Sequence, residues 1–162
     1  MTLPMSDLRD LYQEMILDHN RRPHNRRNLE GADRRADGYN PLCGDRISVY
    51  LKIDGDRIRE ATFEGKGCAI STASASMMTD AVHGKTLDEA RQLFTRFHGM
   101  VTDDSATESA PTNLGKLEVF SGVSQFPARV KCATLAWHTL KAAIEDAREV
   151  VSSEEGAGDP NA

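Results

Sequence analysis

The chain has 162 residues, of which 39% are hydrophobic and 28% are charged, and its formal net charge at pH 7 is −5. This length and composition suffice for one ordinary hydrophobic core, so we expect a single globular domain. The negative charge argues against general binding to nucleic acid or to an anionic membrane. No stretch approaches the roughly 18 apolar residues that a membrane-spanning helix needs. The N-terminus also lacks the apolar segment of a signal peptide. These two observations together predict a cytoplasmic protein.

The first predicted element is an amphipathic helix. Ser6 is a candidate N-cap, apolar residues follow it at helical spacing, and the helix should end before Pro23. The apolar positions of this helix are Leu8, Leu11, Tyr12, Met15 and Ile16. Residues 19–27 then carry a run of basic side chains, which we interpret as a solvated loop or as a docking surface for an acidic partner.

A β-hairpin is predicted next. Residues 47–53 and 58–63 are rich in β-branched side chains and alternate between apolar and polar positions over much of their length. Asp54, Gly55 and Asp56 between them have the composition of a tight turn. We therefore expect the two segments to pair as part of an antiparallel sheet.

Two helices are predicted after the hairpin. Residues 69–82 form the first of them, so Cys68 stands where a strand passes into a helix. Thr86 and Glu89 have the spacing of a capping box and predict the start of the second helix. That second helix should stop near Gly99, because glycine is a common helix terminator.

The last third of the chain contains a polar segment, a helix and a tail. Residues 101–115 are dominated by polar residues and predict a mobile loop or a short ordered insertion. After a break at Pro127, apolar residues recur at helical spacing from Cys132 to Val151, which predicts a long final helix. Residues 152–162 have the composition of a disordered tail, so the predicted domain spans residues 1–151.

The three cysteines lie where predicted elements meet. Cys43 stands in the turn-forming sequence NPLCGD, Cys68 at the start of a helix, and Cys132 near the start of the last helix. An odd number of cysteines in a reducing compartment argues against disulfides and favours metal binding or catalysis. A helix N-terminus favours thiolate, and Asp45 could offer an oxygen to the same centre. From the spacing alone, a shared metal site and separate free thiols both stay open.

Other kinds of site are less well supported by the residues. The five histidines lie outside the cysteine motifs, and we interpret them as surface or satisfied polar residues. They are His19, His24, His83, His98 and His138. A cysteine hydrolase would need a base held against its nucleophile, and no motif pairs a cysteine with a histidine. A protein in which zinc is purely structural stays an alternative.

Four phrases of the sequence resemble the IscU-like family of iron–sulfur assembly proteins. They are LYQEMILDHNRRPHNRRNLE at 11–30, NPLCGD at 40–45, GKGCAIS at 65–71 and RVKCATLAW at 129–137. The resemblance extends over residues 6–150. It implies an α+β domain with a small antiparallel β-sheet packed against helices, in which three cysteines and an aspartate meet at one end. By motif match, the metal ligands would be Cys43, Asp45, Cys68 and Cys132.

Two departures from the cluster-building branch of this family resemble its SufU branch instead. Lys131 stands where the cluster-building branch has a histidine, and a protonated lysine is a poor metal ligand. The extra segment near 101–115 also resembles the insertion that marks SufU-type proteins. The resemblance thus implies a zinc-dependent sulfurtransferase that binds Zn²⁺. The alternative is a scaffold on which a transient iron–sulfur cluster is built and then transferred.

The SufU-type resemblance also implies a route for sulfur. A histidine of a SufS-type cysteine desulfurase would displace Cys43 from zinc, and Cys43 would then accept the persulfide sulfur and pass it to a SufBCD-type assembly complex. Arg129 matches a position associated with function, so we assign it to orienting the partner or stabilising negative sulfur, with a surface ion pair as the alternative. Whether the chain is itself an enzyme, or only a sulfur carrier that stimulates the desulfurase, stays open.

Overall fold

The structure is a computed structural model. It describes residues 5–41, 44–102, 115–145 and 151–152, and it describes side chains from residue 13 onward except at positions 121, 122, 124, 125, 151 and 152. In chain order the elements are helix α1 (Met5–Arg21), strands β1 (Arg34–Asn40), β2 (Asp45–Asp54) and β3 (Arg57–Lys66), helices α2 (Ala69–Val82) and α3 (Leu87–Thr102), a 3₁₀ helix (Gly115–Gln125), helix α4 (Pro127–Ile144) and strand β4 (Val151–Ser152).

The four strands form one sheet in the order β3-β2-β1-β4. Strands β1, β2 and β3 are antiparallel, and the short strand β4 pairs with β1 in parallel. The predicted α+β fold with a small antiparallel sheet is therefore confirmed. The predicted turn is confirmed as well, because Asp54 pairs with Arg57 across it and Gly55 has a φ of 67°, which glycine adopts without strain.

Strand β1 was missed in the sequence. Its buried positions hold Ala36, Gly38 and Asn40, so it lacks the large β-branched residues that indicate a strand. Gly38 has a packing reason to be glycine, because an added Cβ would stand 2.1 Å from the Thr139 hydroxyl oxygen of α4. The small residues of β1 thus allow helix α4 to lie close against the sheet.

The core lies between the sheet and helices α2 and α4, and it extends to α3, which packs against α4. Trp137 of α4 is fully buried, stacks on Phe97 of α3 at 4.6 Å between ring centroids, and donates its indole N–H to the Ser74 hydroxyl of α2 at 3.2 Å. A buried indole N–H that lacked a partner would be costly, so this hydrogen bond permits the burial. The aromatic pair and Ser74 fix the three helices relative to one another.

The helix boundaries differ in part from those that the sequence predicts. Helix α1 is described from Met5, so Ser6 lies inside its first turn and does not precede it. Helix α3 continues past Gly99 to Thr102, because Met100 and Val101 are buried and tertiary packing outweighs the low helix propensity of glycine. Helix α4 ends at Ile144, and Val151 belongs to strand β4 instead of to a helix.

The capping box at the start of α3 is confirmed. The Thr86 N–H donates to Glu89 Oε1 at 2.9 Å, and the Glu89 N–H donates to Thr86 Oγ1 at 3.0 Å. Most of the predicted insertion, residues 103–114, and residues 153–162 of the predicted tail lie outside the described residues. Within the described parts of the chain, no helix is both long and apolar enough to cross a membrane.

Candidate metal centre

Three of the four predicted ligands come together from separate elements. Asp45 is the first residue of β2, Cys68 directly precedes α2, and Cys132 belongs to α4. One ligand atom from each of these residues lies within 4.8 Å of the other two. We call this group the thiol–carboxylate site. The proximity that cysteine spacing alone left open is thus present in the fold.

Asp45 is the residue that most directly indicates a cation. The residue is 4% exposed, and its Oδ2 atom is buried without a hydrogen-bond partner among the described residues. An unpartnered buried carboxylate oxygen is unfavourable, since the charge has lost its water. Together with two sulfur atoms, it forms a donor set that suits zinc or iron. The residues therefore fit a thiophilic metal ion.

Cys68 lies at the N-terminus of α2, where its environment favours the thiolate form. Its sulfur accepts a hydrogen bond from the Ser71 N–H at 3.4 Å, as an N-cap side chain does. A hydrogen bond with Cys132, assisted by the Ser71 amide, lowers the pKa of Cys68 to about 6, although burial and the charge of Asp45 act in the opposite direction. The direction of this pKa shift agrees with the thiolate character that the sequence predicts at this helix terminus.

Cys132 has a different environment. It is only 5% exposed and lies beyond the first turn of α4, too far along the helix for its sulfur to meet the free amide groups of the helix N-terminus. Instead, the fully buried Asn40 directs its side-chain amide N–H to the Cys132 sulfur at 3.9 Å. Sequence reasoning missed Asn40. The only signal for it was an amide residue directly before the Pro-Leu-Cys sequence at 41–43.

Gly67 makes room for the site. A Cβ added at Gly67 would stand 2.8 Å from the Ser71 hydroxyl oxygen and 3.3 Å from the Asp45 carboxyl carbon. Glycine at this position therefore lets the β3–α2 junction approach the carboxylate. A pocket of about 350 Å³ opens at this place, lined by Gly44, Asp45, Lys66, Gly67 and Cys68.

Cys43, the fourth predicted ligand, lies outside the described residues. The structure does describe both sides of the connection that contains it. Asn40 and Asp45 pair across strands β1 and β2, and the Gly44 N–H donates to the Asn40 carbonyl at 2.8 Å. Gly44 has a φ of 72°, which suits glycine in a tight connection. The part of Cys43 in the site remains a prediction.

Arg129 and Lys131 lie on α4 beside Cys132. Arg129 is exposed, and its guanidinium lies 4.6 Å from the ring centroid of Phe126, whose side chain is 47% exposed. This stacked pair presents a cation and an apolar ring on the surface within two turns of Cys132. Lys131 is half-buried and directly precedes Cys132. The functional role of Arg129 stays a prediction.

The histidines are less scattered than the sequence suggested. The rings of His19 and His24 lie 4.5 Å apart, and those of His98 and His138 lie 5.3 Å apart. His19, His24 and Asp80 also form a second group whose ligand atoms lie within 4.8 Å of one another. Nothing in the spacing of these residues along the chain predicts that grouping.

The chain belongs to the NifU-like N-terminal domain family, since residues 11–133 match the family model described as NifU-like N terminal domain. It is 46% identical over 143 residues to the iron–sulfur cluster assembly scaffold protein IscU of Streptococcus pyogenes serotype M1, covering 88% of each chain. It is 43% identical over 139 residues to the zinc-dependent sulfurtransferase SufU of Bacillus subtilis, covering 86% of this chain and 92% of the relative.

A solved structure supports the same fold. It comes from Fervidobacterium islandicum AW-1 and is described as a candidate iron–sulfur cluster assembly scaffold protein for the SUF system. Its TM-score is 0.75 at 36% identity, with 81% of this chain and 94% of that chain covered. The comparisons therefore agree on the family. The two relatives differ in their described function, because one is a scaffold protein and the other is a sulfurtransferase.

Proposed function

We propose that this chain is a SufU-type sulfur acceptor in iron–sulfur cluster assembly. In this proposal it takes sulfur from the persulfide of a SufS-type cysteine desulfurase and passes it to a SufBCD-type assembly complex. The observation that carries the proposal is the buried Asp45 carboxylate, which has an oxygen without a partner among the described residues and lies within 4.8 Å of two cysteine sulfurs. The likeness to the zinc-dependent sulfurtransferase of B. subtilis supports it.

Zn²⁺ would be held by Asp45, Cys68 and Cys132, with Cys43 as the fourth ligand. When bound, zinc supplies a cation without redox chemistry that keeps the ligating thiols deprotonated. The fold holds two of the cysteine ligands in fixed positions. Cys68 is fixed by the Ser71 amide, and Cys132 is buried in α4 beside Asn40.

The three cysteines differ in their suitability as sulfur acceptor. Cys132 is 5% exposed, so the persulfide of another protein does not reach it in this fold. Cys68 is exposed, but its sulfur caps α2, and moving it away would remove a helix cap. Cys43 lies in the connection between β1 and β2, where the flanking Gly44 is exposed. We therefore assign the acceptor role to Cys43.

The transfer is a thiol–persulfide exchange. The Cys43 thiolate attacks the outer sulfur of the donor's persulfide, a new sulfur–sulfur bond forms on Cys43, and the bond within the donor's persulfide breaks. The donor cysteine leaves as a thiolate, and the outer sulfur keeps its hydrogen, so no external oxidant or reductant is needed. The exposed guanidinium of Arg129 would stabilise the negative charge on sulfur as the partner docks.

Persulfide mapping tests the proposal. The zinc-loaded protein is mixed with a cysteine desulfurase and cysteine, alkylated, digested and analysed by mass spectrometry. We expect one added sulfur atom on the peptide that contains Cys43, and loss of desulfurase stimulation in Cys43→Ala. Arg129→Gln should reduce stimulation while zinc content stays unchanged. Sulfur found on the Cys68 peptide would overturn the assignment to Cys43.

The scaffold function is the second candidate, and the 46% identity to the S. pyogenes scaffold protein supports it. Metal analysis separates the two functions. A sulfur acceptor is colourless with stoichiometric zinc and strongly stimulates the desulfurase. A scaffold acquires a brown iron–sulfur cluster and transfers it intact to an apo-protein. A protein with structural zinc would lose its fold with the metal and leave the desulfurase rate unchanged.

A further inference from the structure

A second group of metal-ligating side chains lies at the other end of α2. His19 is near the end of α1, His24 follows that helix, and Asp80 is near the C-terminal end of α2. We call these residues the His–Asp cluster. Because a helix rises about 1.5 Å per residue, Asp80 lies roughly 18 Å along α2 from Cys68. The cluster is therefore separate from the thiol–carboxylate site.

Hydrogen bonds already hold the cluster in place. His19 Nδ1 is 2.7 Å from the Ser76 hydroxyl oxygen, and that oxygen also accepts the His24 backbone N–H at 2.8 Å. His24 Nδ1 is 2.5 Å from Asp80 Oδ2, and the Asn25 side-chain amide donates to Asp80 Oδ1 at 3.0 Å. His24 Nδ1 and Asp80 Oδ2 therefore face each other, so an ion in place of the hydrogen between them would contact both atoms, and Ser76 holds the neighbouring His19 ring.

The exposure of the cluster lets an ion reach it. His19 is buried, whereas the side chains of His24 and Asp80 are 50% and 44% exposed. The cluster thus has one fixed ligand and two that can adjust at the surface, where an ion can enter.

The distances allow a small ion. Zinc binds histidine nitrogen at about 2.0–2.1 Å, so neighbouring ligands of a tetrahedral site lie about 3.4 Å apart. The ligand atoms of the cluster lie within 4.8 Å of one another. His24 Nδ1 and Asp80 Oδ2 would move apart from 2.5 Å to accept the ion and His19 would move closer to them, and rotation of the half-exposed His24 and Asp80 side chains allows both changes. Two imidazoles and one carboxylate favour borderline ions over calcium or magnesium, which prefer oxygen alone.

We propose that His19, His24 and Asp80 bind a divalent transition-metal ion of the zinc or nickel type, which links α1 to α2. Ser76 is a positioning residue that orients the His19 ring. The described part of the chain offers three ligands to this site, so water would complete the coordination and the ion would be exchangeable. This site is independent of the sulfur-transfer proposal, because none of its residues belongs to the thiol–carboxylate site.

A titration with Ni²⁺ tests the proposal. The untagged full-length protein is first loaded with one equivalent of Zn²⁺ and then titrated with Ni²⁺ by calorimetry. Histidine side-chain resonances and the melting temperature are followed in parallel. Absorption from thiolate-to-nickel charge transfer would reveal any exchange at the cysteines. We expect one additional Ni²⁺ to bind, with perturbed His19 and His24 resonances and a raised melting temperature.

Three variants make the result specific. His24→Ala and Asp80→Asn should each weaken nickel binding by at least about tenfold, the lower end of what loss of a supporting group costs a metal site. His98→Gln removes an imidazole outside the cluster and should bind nickel as the unmodified protein does. Circular dichroism checks that each variant is folded. Absence of a further equivalent, or undiminished binding in either cluster variant, would overturn the three-ligand site.

Discussion

Replacing Asp45 by asparagine should affect stability in opposite directions with and without zinc. In the metal-free protein, the carboxylate is 4% exposed, its Oδ2 has no partner in the described chain, and its charge opposes the Cys68 thiolate. Leaving such a group unsatisfied costs about 1–3 kcal/mol, and more when it is charged. Asp45→Asn keeps the shape and a polar atom at this place but removes the charge and its additional cost, so we expect the metal-free free energy of unfolding to rise by about 1 kcal/mol.

Zinc should reverse the comparison. A ligand present at 1,000 times its dissociation constant stabilises the fold by about 4 kcal/mol. Losing a charged ligand should weaken zinc binding more than the 10–100-fold that loss of a supporting residue causes. Because each tenfold is about 1.4 kcal/mol, the zinc-dependent stabilisation should fall by about 2.8 kcal/mol or more in Asp45→Asn.

Urea unfolding at pH 7.5 under reducing conditions, with a chelator or with excess zinc, measures both quantities. The matched control is Asp56→Asn, which removes an exposed carboxylate and should change stability by less than about 0.5 kcal/mol in either condition. The reasoning is refuted if Asp45→Asn destabilises the metal-free protein and leaves the zinc-dependent increment intact. Asp45 would then be a structural acceptor and not a metal ligand.

Three further substitutions test other contacts. Gly67→Ala places a methyl group 2.8 Å from the Ser71 hydroxyl oxygen. Urea unfolding should therefore show a free energy of unfolding lower by about 1–3 kcal/mol, and zinc should bind more weakly. A variant with unchanged stability and zinc affinity would contradict the close approach. Burial lowers the pKa of His138 to about 4, so the folded protein favours the neutral imidazole. The stability that depends on this neutral form is complete above pH 6.5 and is lost as the pH falls through 4. His138→Gln should reduce the acid-induced loss of stability by up to about 3 kcal/mol. Melting-temperature profiles of the variant and the unmodified protein that run parallel from pH 7.5 to 4 would contradict this. Thr86→Ala should lower the free energy of unfolding in urea by about 1 kcal/mol, because it removes the hydroxyl that accepts the Glu89 N–H, whereas Thr86→Ser keeps this hydroxyl and should not. Equal losses in the two variants would argue against the cap.

The sequence predicted those elements whose signals are local. The hairpin turn at Gly55 and the capping box at Thr86 depend on residues close together in the chain, and both are present. Strand β1 could not be predicted in this way, because Gly38 and Ala36 are small for reasons set by helix α4. Its strand conformation depends on pairing with β2 and on the approach of a helix about 100 residues later in the chain.

The candidate site shows the same division. The cysteine motifs and the family resemblance identified Asp45, Cys68 and Cys132, which the fold brings together. Asn40 was missed because its partner sulfur is 92 residues away in the chain. The His–Asp cluster was missed for a similar reason, since His24 and Asp80 are 56 residues apart. A lone histidine carries no sign of a distant carboxylate, so only the packing of α1 against α2 reveals the pair.

Helix α2 has small polar residues that explain how one element serves two sites. Ser74 donates to the Ala133 carbonyl of α4 at 2.6 Å, Ser76 contacts His19, and Thr79 accepts the Asn25 amide at 3.1 Å. These side chains are buried, so their contacts hold α2 at a fixed depth and rotation between α1 and α4. Apolar residues alone would leave that rotation less well defined, because dispersion contacts are not directional. These hydrogen bonds therefore contribute to the placement of Cys68, which directly precedes α2.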